Sequence, residues 1–308
     1  MHADFDPGVP TTGRVRLRDG RVLAHAEHGD PGGRPVLLVP GAASGGLVTP
    51  GEGPLRHLGV RLVTVERPGL GASDPCPGAT FTSVAEDLRE LVASLGTGPV
   101  PCLAHSQGAP FGLAAAAAGV VSRLVLVSPA DEVARPEFRT ALPPGFAALV
   151  DLAARDPGRA YDAFAGFTAA SMFELVLGRV APADAATYGR GDFRAWFRRV
   201  LDDGFRQGPD AYARDTVLAV REWGLPLEAI AVPVEVWHGD LDGTHSPDVG
   251  ATLAARVPGA RHRVVAGAGG SLLWSHAEDV LRAALGPAVA LAAAAGETGG
   301  APDLAEAP

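Results

Sequence analysis

Short, nearly continuous apolar segments bounded by Gly and Pro recur along the chain, and they are typical of strands covered on both faces. These segments are residues 35–40, 60–66, 100–105, 122–129, 232–240 and 261–267. Nearer the N-terminus, alternating apolar and polar residues on either side of Asp19-Gly20 predict an entry hairpin with a tight turn. The pattern therefore predicts eight strands.

Segments of helical periodicity separate these strands. Residues 83–96 carry apolar side chains at helical spacing, with Thr82 or Ser83 placed to cap the helix and Gly96 placed to end it. A last helix is predicted over residues 271–286. Because strands and helices alternate, we predict an α/β fold with a mostly parallel eight-stranded sheet and helices on both faces.

The pattern changes after residue 130. Residues 131–230 are helical in pattern and rich in aromatic pairs, which predicts a helical cap inserted into the sheet. The core would then comprise residues 14–130 and 231–286. Residues 287–308 are rich in Ala, Gly and Pro, with few large apolar side chains, and are predicted to form a mobile tail.

Composition narrows the class of protein and its partners. Hydrophobic residues make up 47% of the chain and charged residues 20%, as in ordinary globular proteins. The net charge of −9 is spread without a basic stripe, which argues against nucleic acid or an anionic membrane as a partner. The N-terminus has no signal-peptide pattern and no apolar run could span a bilayer, so we expect a cytoplasmic protein. Nothing indicates an oligomeric state.

The stretch LAHSQGAPFG places Ser106 at the end of a strand and directly before a helical segment. Ala104 and Gly108 occupy the two small positions of a Gly-x-Ser-x-Gly turn, where neighbouring backbones must approach closely. The start of the following helix directs backbone N–H groups toward a reacting oxygen. These features favour a serine nucleophile over a serine that merely caps a helix.

With these motifs the chain, from about residue 14 to 286, resembles α/β-hydrolase-fold serine hydrolases with a helical cap. The stretch VPGAASGG matches the oxyanion loop of that family. The resemblance implies that the backbone N–H groups of Ala42 and Gln107 are the two oxyanion donors. The stretch ERPGLGASDP, residues 66–75, resembles a segment that shapes a loop and has no chemistry of its own.

The acid of the triad is also assigned by resemblance. The stretch VEVWHGDLDGTHSPD is similar to the family's strand that ends in His-Gly-x-x-Asp, which implies that Asp242 is the acid and leaves Asp240 as the alternative. The order of serine, then acid, then histidine is the one that the fold requires. We expect His238 to be structural, with its ring beneath the turn that carries the acid.

The histidine of the triad is missing from its expected position. In the family the last strand leads into Gly-x-Gly-His, and the residue that aligns with this histidine is Gly270. A serine hydroxyl is a poor nucleophile without a base, so impaired turnover is expected for an esterase-like enzyme of this kind. Phe, Met and Leu in the cap indicate a mostly apolar small-molecule ligand, and the resemblance implies a small apolar ester or related acyl compound as the substrate.

Three other histidines come into question as the base. His245 follows Asp242 by three residues in a loop near the mouth of the site, and it is a possible substitute. His276 lies within the last predicted helix, and His105 is expected to point away from the pocket because adjacent strand residues face opposite sides.

Two other functions remain open at this point. One is a lyase, cyclase or isomerase that uses Asp242 and the oxyanion hole, since a buried carboxylate without its imidazole would have a raised pKa. The other is a ligand-binding protein without catalysis. No phosphate-loop motif or zinc-ligand spacing is found, so neither a cofactor nor a metal is implied.

Overall fold

A single eight-stranded sheet forms the centre of the molecule, which a computed structural model describes for residues 5–286. Its strands are β1 (Thr11–Arg16), β2 (Val22–Gly29), β3 (Arg34–Val39), β4 (Val60–Val65), β5 (Val100–His105), β6 (Val121–Val127), β7 (Val234–Gly239) and β8 (Arg261–Val265). Their order is β1-β2-β4-β3-β5-β6-β7-β8. Strand β2 is antiparallel to β1 and β4, and the other pairs are parallel. The predicted α/β fold is confirmed.

Helices cover both faces of this sheet. They are α1 (Glu52–His57), α2 (Phe81–Ser94), α3 (Ala109–Ala117), α4 (Pro144–Arg155), α5 (Pro157–Phe164), α6 (Ala169–Leu177), α7 (Ala185–Tyr188), α8 (Gly191–Gly204), α9 (Asp210–Ala219), α10 (Ala251–Arg256), α11 (Leu272–Ser275) and α12 (Ala277–Leu285). Alternate strand residues divide between two apolar clusters. Leu37 and Cys102 pack toward α2 and α3, whereas Leu38 and Leu103 pack with α1 and α12.

Helix α2 begins earlier than predicted. Its N-cap is Thr80, whose side chain accepts from Ser83 N while Ser83 Oγ accepts from Thr80 N. This reciprocal capping box satisfies two backbone donors, and it lets Phe81 enter the core as the first helical residue. The prediction of Thr82 or Ser83 as the cap was therefore wrong.

The last helical segment is two helices rather than one. His276 adopts φ −127°, outside the helical region, and separates α11 from α12. The break leaves α11 with four residues, at the edge of the candidate site.

Helices α4 to α9 lie between β6 and β7, within the range predicted for the cap. The domain boundaries given above stay predictions, and the predicted mobile tail, residues 287–308, lies outside the described residues. Among residues 5–286, none of the helices is long and apolar enough to cross a membrane.

The parallel strands bring six chain segments to one edge of the sheet. Loops leave the carboxyl ends of β3, β4, β5, β6, β7 and β8 on the same side, and helices α4 to α9 lie between β6 and β7 in sequence. In open α/β sheets this edge is where ligands bind. The residues singled out in the sequence follow the ends of these strands.

Candidate active site

Ser106 stands on a strained turn between β5 and α3. Its φ is +50°, a left-handed backbone conformation that non-glycine residues rarely adopt. A Cβ atom at Gly108 would collide with the Val39 carbonyl oxygen and come within 2.7 Å of the Pro40 carbonyl oxygen. The turn therefore requires glycine at this position, because the backbone of the neighbouring loop lies against it.

The loop after β3 approaches Ser106 on one side. A Cβ atom placed on Gly41 would lie 3.5 Å from Ser106 Oγ. Gly41, Ala42, Ser106 and Gln107 all border one cavity of about 520 Å³. The predicted nucleophile and the two predicted oxyanion donors thus lie together at the wall of one cavity.

The cap closes this cavity with a mainly apolar surface. Helices α4 to α9 all contribute aromatic or aliphatic residues to its wall, among them Phe164, Met172, Phe197 and Tyr212. A cavity of this size and lining suits a ligand of a dozen or more heavy atoms with a mostly apolar body.

Asp242 and His245 form a hydrogen-bonded pair after β7. His245 Nδ1 lies 2.8 Å from Asp242 Oδ2, and Asp242 Oδ1 accepts from the backbone N and the Oγ1 of Thr244 at 3.0 and 2.9 Å. The side chain of Asp242 is 1% exposed, whereas that of His245 is 21% exposed and borders the cavity. This is the arrangement of an acid that orients an imidazole.

The imidazole of His245 occupies the space beside Gly270. A Cβ atom at Gly270 would lie 2.9 Å from His245 Cε1, 3.0 Å from His245 Nδ1 and 3.3 Å from Asp242 Oδ2. Real Cβ atoms essentially never approach another atom below 3.0 Å. Glycine at 270 is therefore what leaves room for the ring of His245 next to the acid.

A carboxylate from the cap completes this side of the cavity. Asp184, just before α7, is buried, and its two oxygens accept from Gly270 N at 2.9 Å and Ser271 N at 3.1 Å. It also borders the cavity. Asp184 thus fixes the turn at Gly270, the position at which the sequence comparison above expected a histidine.

The titratable groups around His245 shift one another's pKa values. Burial disfavours the imidazolium, but the charge and hydrogen bond of Asp242, together with the charge of Asp184, outweigh it and raise the pKa of His245. Burial also pushes the pKa of Asp242 up, yet the imidazoles of His245 and His238 and the Thr244 N–H hold it well below its usual range. The expectation of a raised pKa for Asp242 was wrong, because this carboxylate does have an imidazole partner.

Ser106 and His245 border the same cavity without a direct hydrogen bond. Among the described residues, the ring of His245 is hydrogen-bonded to Asp242 and Thr244, its backbone N donates to Asp242, and its carbonyl oxygen accepts from Asp131 N. Bonds between a nucleophile and its base are often long in unliganded structures and shorten when substrate binds.

The structure contradicts the prediction for His105. His105 borders the cavity, and its ring packs edge-on against that of Trp274, another residue of the cavity wall, with ring centroids 5.1 Å apart. Strand alternation places His105 on the face opposite Ala104, but at the end of β5 that face opens onto the cavity wall. Burial, together with the charge of His245, lowers the pKa of His105 to about 3, so its ring is neutral.

The remaining candidates lie away from the nucleophile. Asp240 is exposed, and its Oδ1 accepts from Gly267 N at 2.7 Å. His238 is fully buried, with Nδ1 3.7 Å from Asp242 Oδ2, beneath the turn that carries the acid. His276 is paired with the hydroxyl of Ser275 and does not border the cavity.

A family model for the alpha/beta hydrolase fold matches residues 34–277, and the chain belongs to this family. Solved structures at low identity share its fold. An enol-lactonase from Burkholderia xenovorans is 20% identical with a TM-score of 0.61, over 87% of this chain and 96% of that one. A bromoperoxidase from Bacillus anthracis is 18% identical with a TM-score of 0.66, over 89% and 98%. An esterase from a Rhodococcus species is 21% identical with a TM-score of 0.61, over 88% and 96%.

Asp184 is the residue of the site that sequence reasoning missed. It lies 86 residues before Gly270 and in another structural element, so no local pattern connects the two. The only sequence feature that could have indicated it is a carboxylate within the predicted cap, and the burial of that carboxylate cannot be predicted from the sequence. His245, by contrast, was identifiable from its spacing to Asp242.

Proposed function

We propose that the protein is a serine hydrolase of esters or lactones in which His245 takes the place of the histidine missing at position 270. The nucleophile is Ser106, and the acid is Asp242. The observation that carries this proposal is the 2.8 Å contact between His245 Nδ1 and Asp242 Oδ2 beside Gly270. The absence of histidine at 270 predicts impaired turnover, whereas a base at 245 predicts an active enzyme.

The first half of the reaction forms an acyl-enzyme. With Nδ1–H donated to Asp242, Nε2 of His245 carries the lone pair and accepts the proton of Ser106 Oγ as this oxygen attacks the ester carbonyl carbon. The negative charge on the carbonyl oxygen is met by the N–H groups of Ala42 and Gln107. The ester C–O bond then breaks, and His245 returns the proton to the departing alkoxide.

The second half releases the acid. His245 removes a proton from water, the resulting hydroxide attacks the acyl carbon, and Ser106 leaves with the proton that His245 gives back. The products are a carboxylic acid and an alcohol, or a hydroxy acid when the substrate is a lactone. Asp242 stays ionised throughout, which its lowered pKa favours, and it stabilises the imidazolium of each step.

The apolar lining supports a substrate with a medium-length or aromatic acyl group. Ester and lactone chemistry is also what the names of the esterase and the enol-lactonase with this fold indicate for those two proteins. The low pKa of Asp242 speaks against the lyase, cyclase or isomerase alternative, since such a carboxylate is a weak base and is not a proton donor near neutral pH.

The test is an exchange of histidine between positions 245 and 270. Hydrolysis of p-nitrophenyl acetate to octanoate is measured for the wild type, His245→Ala, Gly270→His, and the double variant His245→Gly with Gly270→His. His57→Ala, an exposed histidine on α1, is the matched control. A fluorophosphonate probe reports covalent labelling of Ser106.

We expect His245→Ala to lower kcat by roughly 10⁴-fold or more, the loss that removal of a triad histidine causes. Added imidazole should restore part of this activity, and His57→Ala should behave as wild type. Gly270→His alone should be impaired because its side chain collides with His245, whereas the double variant should regain activity. Wild-type turnover in His245→Ala, or a rise in Gly270→His, would contradict His245 as the base.

A further inference from the structure

Arg67 holds the predicted oxyanion loop from behind. Its side chain is fully buried, and it donates from Nη1 to the Pro40 carbonyl oxygen at 2.5 Å and from Nη2 to the Gly41 carbonyl oxygen at 3.1 Å. The Gly41 carbonyl and the Ala42 N–H belong to one planar peptide group. Fixing the direction of this carbonyl therefore fixes the direction of the Ala42 N–H.

The orientation of Arg67 is set by the cap. Asp215, in the cap helix α9, accepts from Arg67 Nε with Oδ2 at 2.8 Å and is fully buried. Its Oδ1 accepts from Arg214 Nη2 at 2.6 Å, and Arg214 in turn donates to the Pro68 carbonyl oxygen at 2.9 Å. A buried guanidinium needs its partner for both charge and hydrogen bonding, so α9 determines where Arg67 can point.

The next residue of α9 contacts the other predicted oxyanion donor. Gln107 Nε2 lies 3.0 Å from Thr216 Oγ1, and Thr216 Oγ1 lies 2.7 Å from the Tyr212 carbonyl oxygen. Because the only hydroxyl proton of Thr216 goes to this carbonyl, the oxygen must accept from the amide of Gln107. The side chain of Gln107 is thereby tied to the cap, next to its own backbone N–H.

We infer that Asp215 and Thr216 are positioning residues for the oxyanion hole. Two consecutive residues of one cap helix reach the two donors, Asp215 through Arg67 and the Gly41–Ala42 peptide, and Thr216 through the side chain of Gln107. The cap thus contributes to the geometry of the reacting centre as well as to the walls of the cavity. This inference rests on the proposed function, because an oxyanion hole serves acyl transfer.

The experiment compares an ester with its thiono analogue, in which sulfur replaces the carbonyl oxygen. Sulfur is a weak hydrogen-bond acceptor, so an intact oxyanion hole favours the oxygen ester beyond the intrinsic difference in reactivity. The quantity measured is the ratio of kcat/KM for the two substrates, with kcat and KM resolved for each. The variants are Asp215→Asn, Thr216→Val and Thr216→Ser, with the cap variant Thr187→Val as control.

We expect the ratio to fall about fivefold in Thr216→Val, as for loss of one neutral hydrogen bond, and to recover in Thr216→Ser. In Asp215→Asn we expect a fall of at least tenfold, approaching the loss of a full oxyanion donor. KM for the oxygen ester should change little, and Thr187→Val should match the wild type. If Asp215→Asn does not fold, the two Thr216 variants still decide whether α9 positions the oxyanion hole.

Rates that fall equally for both substrates in Thr216→Val would mean that α9 has only a structural role, and this outcome would overturn the inference. An unchanged ratio in Thr216→Val together with wild-type rates would overturn it as well. Both results leave the proposed function standing, since the wild type is active in each. A wild type without esterase turnover or Ser106 labelling would instead overturn the proposed function and this inference together.

Discussion

The two sides of the cavity are built in different ways. On the side of the proposed oxyanion donors, called the oxyanion side, the loop after β3 and the turn at Ser106 follow directly from two strand ends, and both border the cavity. On the side of the proposed base, called the base side, His245, Gly270 and Asp184 come from three separate segments. The Asp184 carboxylate accepts from Gly270 N, and the ring of His245 lies beside Gly270. Residues that follow neighbouring strand ends can be predicted from short sequence motifs. Contacts between distant segments depend on how the whole chain folds.

The largest effect should come from the residue that both sides share. We expect Ser106→Ala to lower kcat for p-nitrophenyl esters by about 10⁶-fold and to abolish fluorophosphonate labelling, because it removes the proposed nucleophile. Ser94→Ala, at an exposed position of α2, is the control. Steady-state kinetics and mass spectrometry of the labelled protein measure both effects. Residual turnover close to that of the wild type would remove Ser106 from the mechanism.

A single methyl group at position 270 should separate the two sides. We expect Gly270→Ala to lower kcat/KM by about 100-fold, because its Cβ displaces the ring of His245 and a misplacement of about 1 Å has this effect. Thermal denaturation of the variant should show little loss of stability. Gly53→Ala, whose Cβ meets no atom within 4 Å, is the matched control. Equal rates in the two variants would mean that the ring has no catalytic role.

Removal of the Asp184 charge should shift the pH dependence of kcat/KM. His245 must be neutral to accept a proton, so activity is lost as pH falls through its pKa, which lies above 6.5 in the folded protein. Because Asp184 contributes to raising this pKa, we expect Asp184→Asn to shift the acid limb of kcat/KM to lower pH. The plateau rate should fall less than in Gly270→Ala.

The control for this shift is Asp151→Asn, which removes an exposed carboxylate of α4 that pairs with Arg139. The profile is recorded from pH 5 to 9 at constant ionic strength. An acid limb that stays in place, or moves to higher pH, would show that Asp184 does not act on the base.

The smallest effect concerns stability. Asp131 supports the loop of His245, since its N donates to the His245 carbonyl oxygen at 3.1 Å and its Oδ2 accepts from Ser246 Oγ at 2.8 Å. Burial, with the nearby charge of Asp248, raises the pKa of Asp131 to about 6 against the opposing hydrogen bonds. The folded state therefore keeps this proton to higher pH than the unfolded state.

A raised carboxyl pKa means that stability falls as pH rises through the window from 3.8 to about 6. The contribution is at most about 3 kcal/mol. We expect Asp131→Asn to flatten the dependence of the unfolding free energy on pH across this window, as measured by urea denaturation at several pH values. A dependence identical to that of the wild type would contradict the shifted pKa.

The turn at Ser106 and its place at the sheet edge could be predicted from the sequence because they follow a strand end, whereas the roles of Ala42 and Gln107 stay predictions. The apolar run before Ser106 ends in a strand-to-helix turn, and the small residues on either side report how closely the backbones approach. The face of His105 was mistaken because alternation tells which residues share a face, but not which face borders the cavity. The N-cap residue of α2 was missed, although Thr80 and Ser83 have the spacing of a reciprocal capping box.

The base side could be predicted only in part. Asp242 was a candidate because its stretch resembles the family's acid-bearing strand end, and His245 was a possible substitute because it follows Asp242 by three residues. That the ring of His245 fills the space beside Gly270 depends on the path of a loop without periodicity. The contact of Asp184 with Gly270 spans 86 positions and depends on how the cap docks, which one sequence does not specify.

The crowding at Gly270 also constrains how this site can change by mutation. The proposed function predicts two active arrangements separated by two substitutions: glycine at 270 with histidine at 245, and histidine at 270 with a small residue at 245. Each single step between them meets either two imidazoles in one space or none. Both single variants between these arrangements are therefore expected to be less active than either arrangement, so substitutions at the two positions should be strongly epistatic.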